Sequence, residues 1–80
     1  MNNVMVRLSS IQDVRSFVDI VTKYNMDIDL SRGRYVVDAK SIMGIFSLDL
    51  LNPITLSAQS DKEEDVKALM EDLKAYIVNE

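Results

Sequence analysis

The chain has 80 residues, 48% of them hydrophobic, which is enough for one domain built around one core. It contains no cysteine and no histidine, which excludes disulfides, thiolate metal sites, a cysteine nucleophile and the usual general base near neutral pH. The net charge of −4 argues against direct binding of nucleic acid or of an anionic membrane. No apolar run approaches the roughly 20 residues of a membrane helix, and the first residues lack the features of a signal peptide. We therefore expect a cytoplasmic domain that uses no cofactor.

The first segments predict a strand followed by a helix. Apolar and polar residues alternate from Val4 to Leu8, which is the period of a half-buried strand. Ser10 then precedes a helical pattern, and Asp13 stands three residues later as in a capping box. We expect these two residues to cap the helix and not to form a catalytic site. The apolar stripe of this helix comprises Ile11, Val14, Val18 and Val21, widened by Phe17, Ile20 and Tyr24.

A hairpin is predicted next, because alternation returns from Met26 to Ser31 and the segment Arg34–Asp38 follows a turn at Gly33. Asp27 and Asp29 fall on the polar face of the first hairpin strand, so we interpret them as solvent-facing and not as a catalytic pair. The two arginines beside Gly33 fit either a solvated turn or a contact with an acidic partner.

The second half of the chain predicts a helix, a strand and a final helix. Residues 41–48 have the spacing of a short helix, and Asn52-Pro53 marks a turn before a strand over residues 54–58. The last helix is expected to be capped by Ser60 or Asp61, with the acidic run Asp61–Asp65 as its solvated start. That run lacks the glycine of a calcium-binding loop. The buried stripe of this helix is predicted to comprise Val66, Leu69, Met70, Leu73 and Ile77.

The string KSIMGIFSL at residues 40–48 resembles the regulatory-serine region of the histidine-containing phosphocarrier family, HPr. The element order β-α-β-β-α-β-α is also similar to that family's order, over nearly the whole chain. The resemblance implies a single α+β domain over residues 1–80. Its fold would be a two-layer open-faced sandwich, in which a four-stranded antiparallel sheet of order 1-4-2-3 carries three helices on one face.

The resemblance also implies that the phosphotransfer site is lost. HPr proteins carry phosphate on a histidine at the start of the first helix, within a string like H-x-R-P. Counting back from Ser41 places Ser10 at the histidine, Gln12 at the arginine and Asp13 at the proline. Ser10 has no base to activate it, Gln12 cannot neutralise a phosphate and Asp13 repels one. We therefore predict that the chain is neither an enzyme nor a competent histidine phosphocarrier.

The regulatory half of the family pattern is kept. In HPr and its histidine-less paralogue, the catabolite-repression HPr-like protein, the serine matching Ser41 is phosphorylated by a dedicated kinase, and the product binds a transcriptional repressor. The resemblance thus predicts a serine kinase and a transcriptional regulator, or another protein, as partners. Ser41 would be the switch, and the partner-binding residues would be Lys40, Ile42, Met43 and Phe46. Two simpler interpretations stay open: Ser41 as a helix cap only, and a scaffold domain that binds its partner without phosphorylation.

Overall fold

A computed structural model describes residues 2–78 of the chain. Within that range the strands and helices follow the predicted order, with one additional strand at the end. The strands are β1 (Asn2–Val6), β2 (Asp27–Arg32), β3 (Tyr35–Asp38), β4 (Ile54–Gln59) and β5 (Ile77–Val78). The helices are α1 (Ile11–Val21), α2 (Ile42–Phe46) and α3 (Glu63–Asp72).

The strands form one antiparallel sheet of order β3-β2-β4-β1-β5. The first four strands therefore have the predicted order 1-4-2-3, but the prediction of a four-stranded sheet was wrong. The fifth strand forms because the chain turns back after α3, and Ile77 and Val78 then pair with Val6 and Met5. This pairing satisfies backbone groups along an otherwise open edge of β1, and β-branched residues suit it.

The placement of Ile77 in the last helix was wrong for the same reason. Helix α3 ends at Asp72, and the backbone N–H of Tyr76 donates to the carbonyl of Leu73 across the turn (2.8 Å). The Arg7 N–H then donates to the Tyr76 carbonyl (2.8 Å), which fixes the start of β5 against the end of β1. A single stripe predicted from spacing therefore belongs to two elements.

One face of the sheet carries the helices and the other is open. Strand residues alternate as predicted: in β2, Ile28 and Leu30 are buried, whereas Asp27 and Asp29 are exposed. The buried side chains of the sheet and of the three helices form one cluster, which is the layer between them. From the helices this cluster includes Val14, Phe17, Val21, Ile45, Val66 and Leu69. Between residues 2 and 78, no helix is long and apolar enough to cross a membrane.

The two longer helices begin differently. Ser10 caps α1, since its hydroxyl oxygen accepts from the Asp13 N–H (3.0 Å), as the spacing predicts. Helix α3 instead starts after Lys62, which provides no side-chain cap, so neither Ser60 nor Asp61 fills that role. The Ser60 hydroxyl accepts from the Lys62 N–H in the preceding turn (3.1 Å). Three carboxylates in the first turn of α3 complement the helix dipole in place of a cap.

A hydrogen bond from the Tyr24 hydroxyl to Asp72 connects the chain after α1 with the end of α3. This bond, followed by burial and the charges of Asp72 and Asp65, raises the pKa of Tyr24 from 10.0 to about 12. Because the folded pKa is the higher one, the bond stabilises the fold fully below pH 10.0 and is lost as pH rises through about 12.

We predict that Tyr24→Phe lowers the free energy of unfolding at neutral pH by about 0.5–1.5 kcal/mol, since it removes this bond and keeps the ring. Urea denaturation measures the change. Alkaline titration of tyrosinate absorbance should show that the variant lacks a phenol that ionises near pH 12. Equal stability of the two proteins, with the lost phenol ionising near pH 10.0 and not near pH 12, would show that the bond contributes nothing.

Candidate functional site

Ser41 lies at the start of α2 and caps that helix. Its hydroxyl oxygen accepts from the Gly44 N–H (3.1 Å), and its carbonyl accepts from the Ile45 N–H (3.0 Å). Ser41 as a residue is half-buried, and its bond to Gly44 lies in a partly buried position. A Cβ at position 44 would lie 3.2 Å from the Ser41 Oγ and 3.1 Å from the Val37 Cβ, closer than most real contacts. Glycine at this position therefore allows the tight approach of the cap.

Lys40 precedes the serine, but its charge is held elsewhere. The ammonium group donates to the backbone carbonyl of Tyr24 (2.7 Å), just beyond the C-terminal end of α1. Its backbone N–H donates to a carboxylate oxygen of Asp38 (2.8 Å), which shapes the turn between β3 and α2. In this conformation Lys40 connects α1 to the turn before α2 instead of pairing with a group at Ser41.

The apolar side chains of α2 divide between core and surface. Ile45 is fully buried and Ile42 is half-buried, so these two attach the helix to the rest of the domain. Met43 is 79% exposed and Phe46 is 44% exposed. A five-residue helix lying on a core can bury only one face, and the other two large side chains stay at the surface. The predicted partner-binding residues are therefore partly anchoring and partly accessible.

The start of α1 holds Ser10, Gln12 and Asp13 in contacts within their own segment. The Asp13 carboxylate accepts from the Ser9 N–H (3.0 Å), beside the cap that Ser10 makes to the Asp13 N–H. The Gln12 amide donates to the Ser16 hydroxyl one turn later (3.2 Å), so it points along the helix. The side chains of Ser10 and Asp13 thus satisfy backbone N–H groups at the N-terminal end of α1. The Asp13 carboxylate occupies the Ser9 N–H, a donor that a bound anion would otherwise use.

A shallow apolar depression of about 320 Å³ joins the start of α1 to α2. Phe46 contributes from α2, and Ile11 and Leu51 are 63% and 86% exposed. The residues that line the depression are Leu8, Ser9, Ser10, Ile11, Phe46, Leu50 and Leu51. Most of its surface is apolar, and the exposed Ser10 is one of the few polar lining residues.

The sequence prediction assigned Ile11 to the buried stripe of α1, which was wrong. Ile11 is the first residue of the helix, and it lies beyond the part of α1 that Val14 and Phe17 pack onto the core. Leu50 and Leu51 were not singled out at all. The three leucines within residues 48–51, interrupted only by Asp49, are the signal that could have found them, because a connection before Asn52-Pro53 does not need three leucines.

The comparison with known protein families decides the relationship. The family described as the PTS HPr component phosphorylation site matches residues 13–79. The chain belongs to the HPr family. Members of this family are phosphocarriers and not enzymes. The matched region includes α1 from Asp13 onward and the whole Ser41 segment.

Solved HPr structures share the fold over most of their length. HPr-C-His from Thermoanaerobacter tengcongensis is 31% identical, with a TM-score of 0.75, covering 94% of this chain and 93% of its own. HPr from Bacillus anthracis is 32% identical, with a TM-score of 0.60 and coverage of 90% and 93%. Crh, the catabolite repression containing protein of Bacillus subtilis, is 26% identical, with a TM-score of 0.64 and coverage of 92% and 88%, and was solved as a domain-swapped dimer. The chain is thus similar both to HPr phosphocarriers and to a catabolite-repression protein.

Proposed function

We propose that this chain is a regulatory member of the HPr family that is phosphorylated at Ser41 by a serine kinase and then binds a transcriptional regulator. It would act in the cytoplasm, where that kinase and regulator operate. The carrier role is excluded from the proposal because the chain has no histidine and the resemblance places Ser10 at the phosphoacceptor position. The proposal rests on one juxtaposition: a half-buried serine at the start of α2, beside the exposed side chains of Met43 and Phe46.

The hydrogen bonding of Ser41 supports its use as a phosphoacceptor. Within residues 2–78, its hydroxyl accepts one bond, from the Gly44 N–H, and donates none. A kinase can therefore remove the hydroxyl proton without breaking a donated bond in the folded domain. The bridging oxygen keeps lone pairs after phosphorylation, so the cap to Gly44 can persist while the new dianion extends toward solvent.

The surface around Ser41 supports a docking role. Met43 and Phe46 offer adaptable apolar contacts beside the serine, and Phe46 continues into the depression with Ile11 and Leu51. A partner that inserts an apolar side chain there and places an arginine at the phosphate would use both features. Lys40, engaged with the Tyr24 carbonyl, leaves the phosphate to a cation supplied by that partner.

One observation favours a second candidate function, a scaffold that binds without phosphorylation. The depression lined by Ile11, Phe46 and Leu51 is already open in the unmodified chain. A constitutive partner could occupy it with no phosphate at Ser41. The two candidate functions share the apolar surface and differ only in their dependence on the serine.

Binding measurements separate the two candidates. We expect a regulator that recognises seryl-phosphorylated HPr to bind the Ser41-phosphorylated chain at least about tenfold more tightly than the unmodified chain or Ser41→Ala, since charge-assisted bonds are gained. Met43→Asp should weaken binding of the phosphorylated chain by about tenfold or more, because an apolar anchor is lost and a like charge is added. Isothermal titration calorimetry measures both.

The matched control is Ala68→Asp, which adds the same charge at an exposed position on α3, away from the residues that line the depression. It should leave the affinity unchanged. Binding that ignores Ser41→Ala but is lost in Met43→Asp would replace the proposed switch with the scaffold. Binding that is insensitive to both substitutions would contradict both candidates.

A further inference from the structure

The outer edge of β3 is a free sheet edge with an exposed apolar centre. Within residues 2–78, this strand pairs with β2 on one side only and lies at the end of the sheet. Tyr35 and Val36 are 73% and 66% exposed, although both lie in a strand. An unpaired edge with such side chains offers backbone donors and acceptors to another strand.

The register shows which backbone groups face outward. The Ala39 N–H donates to the Ile28 carbonyl (2.9 Å), so the hydrogen-bonded pairs with β2 recur at every second residue from Ala39 back to Val37 and Tyr35. The N–H and C=O groups of Val36 therefore point away from β2, as does the N–H of Asp38. Val36 is the centre of the unpaired edge.

Opposite charges flank Val36 at equal distances along this edge. Arg34 lies two residues before it, in the turn that Gly33 opens with a φ of 61°, and Asp38 lies two residues after it. In an antiparallel pairing of this edge with itself, with Val36 opposite Val36, each Arg34 falls opposite the other chain's Asp38. Tyr35 then falls opposite Val37 on the helix-bearing face. Every directly opposed pair is either apolar or oppositely charged.

A pair of like charges within the single chain also favours an interaction of Asp38 with a cation from a second copy. Asp38 lies directly opposite Asp29 on the open face of the sheet, in the closer, non-hydrogen-bonded type of pair. Two carboxylates placed opposite one another are destabilising. Neither forms an ion pair within residues 2–78, and neither does Arg34, whose cation is therefore available to a second copy.

We propose that β3 is a self-association edge, on which two copies of this chain pair antiparallel about Val36 into one continuous sheet. The two-fold axis stands perpendicular to the sheet, and the contact is isologous, with each Arg34 beside the partner copy's Asp38. This inference is independent of Ser41 and of the proposed function. An interface formed by one strand of each copy buries less accessible surface than the minimum of about 1,200 Å² found in stable complexes. We therefore expect a weak dimer, with a dissociation constant on the order of 10⁻⁴ M.

Charge reversal with mixing tests the pairing directly. Arg34→Asp and Asp38→Arg should each raise the dissociation constant of the homodimer at least about tenfold, because each places like charges opposite one another twice. An equimolar mixture of the two variants restores both opposite-charge pairs, so it should form a heterodimer about as tightly as the natural chain dimerises. Sedimentation equilibrium at low ionic strength, with native mass spectrometry to identify the heterodimer, measures each constant.

Val36→Pro provides an independent test of the backbone contact. It removes an N–H that faces away from β2, so the fold should survive, with the native dispersion of amide resonances, while dimerisation is lost. The proposal is wrong if the natural chain stays monomeric at millimolar concentration. It is also wrong if both charge-reversed variants dimerise as well as the natural chain, or if their mixture forms no heterodimer. These charge variants test the proposal even if Val36→Pro does not fold.

Discussion

No phosphoryl group is expected to pass to this chain from phosphoenolpyruvate and the general phosphotransferase enzyme, under conditions that label a histidine-containing HPr completely. The chain has no histidine, and within residues 2–78 the hydroxyl of Ser10, which the resemblance places at the histidine position, donates to no base. Its hydroxyl oxygen instead accepts from the Asp13 N–H. Intact mass spectrometry measures the outcome, and a labelled chain would contradict the loss of the carrier function.

The structure predicts further that Ser10→His alone does not restore transfer. The Asp13 carboxylate accepts from the Ser9 N–H (3.0 Å), so it occupies a backbone donor and places a negative charge at the start of α1, next to position 10. Gln12, bonded to Ser16, supplies no cation. Combining Ser10→His with Gln12→Arg and Asp13→Pro tests this explanation, because only the combination returns both the nucleophile and an electropositive helix end. Equal labelling of the single and the triple variant would show that Asp13 and Gln12 do not matter.

Local periodicity predicts most of this fold because burial acts on short stretches of the chain. Strand β2 alternates buried Ile28 and Leu30 with exposed Asp27 and Asp29, so its pattern is visible without any partner strand. Helix α1 is equally clear, since Val14, Phe17 and Val21 recur at helical spacing and are all fully buried. The order of the four long strands came from the family resemblance and not from spacing.

The end of the chain could not be predicted in this way. Ile77 falls four residues after Leu73, which continues the helical stripe of α3, yet it belongs to β5. Two residues are too few to show alternation, and what fixes them is pairing with Met5 and Val6, more than 70 residues earlier. That long-range pairing leaves no local pattern, so spacing favoured the wrong element.

The site was predictable at the level of residue types but not of contacts. A serine before Ile42 indicates a cap, and the structure has that cap. Nothing local indicates that the Lys40 ammonium reaches the Tyr24 carbonyl, because that contact depends on how the turn before α2 lies against the end of α1. The depression is likewise a product of folding, since Ile11 and Leu51 are 40 residues apart in the chain and line the same depression only in the folded domain.

Phosphorylation at Ser41 is the central claim, and incubation with a serine kinase of the HPr family and ATP tests it most directly. Intact mass spectrometry with fragmentation should show one added phosphate, located at Ser41, on the natural chain. A Ser10→Ala variant, which removes the other candidate hydroxyl, should be labelled to the same extent, whereas Ser41→Ala should gain nothing. The absence of phosphate on the natural chain, while a histidine-containing HPr is labelled in parallel, would contradict the regulatory function proposed for this chain.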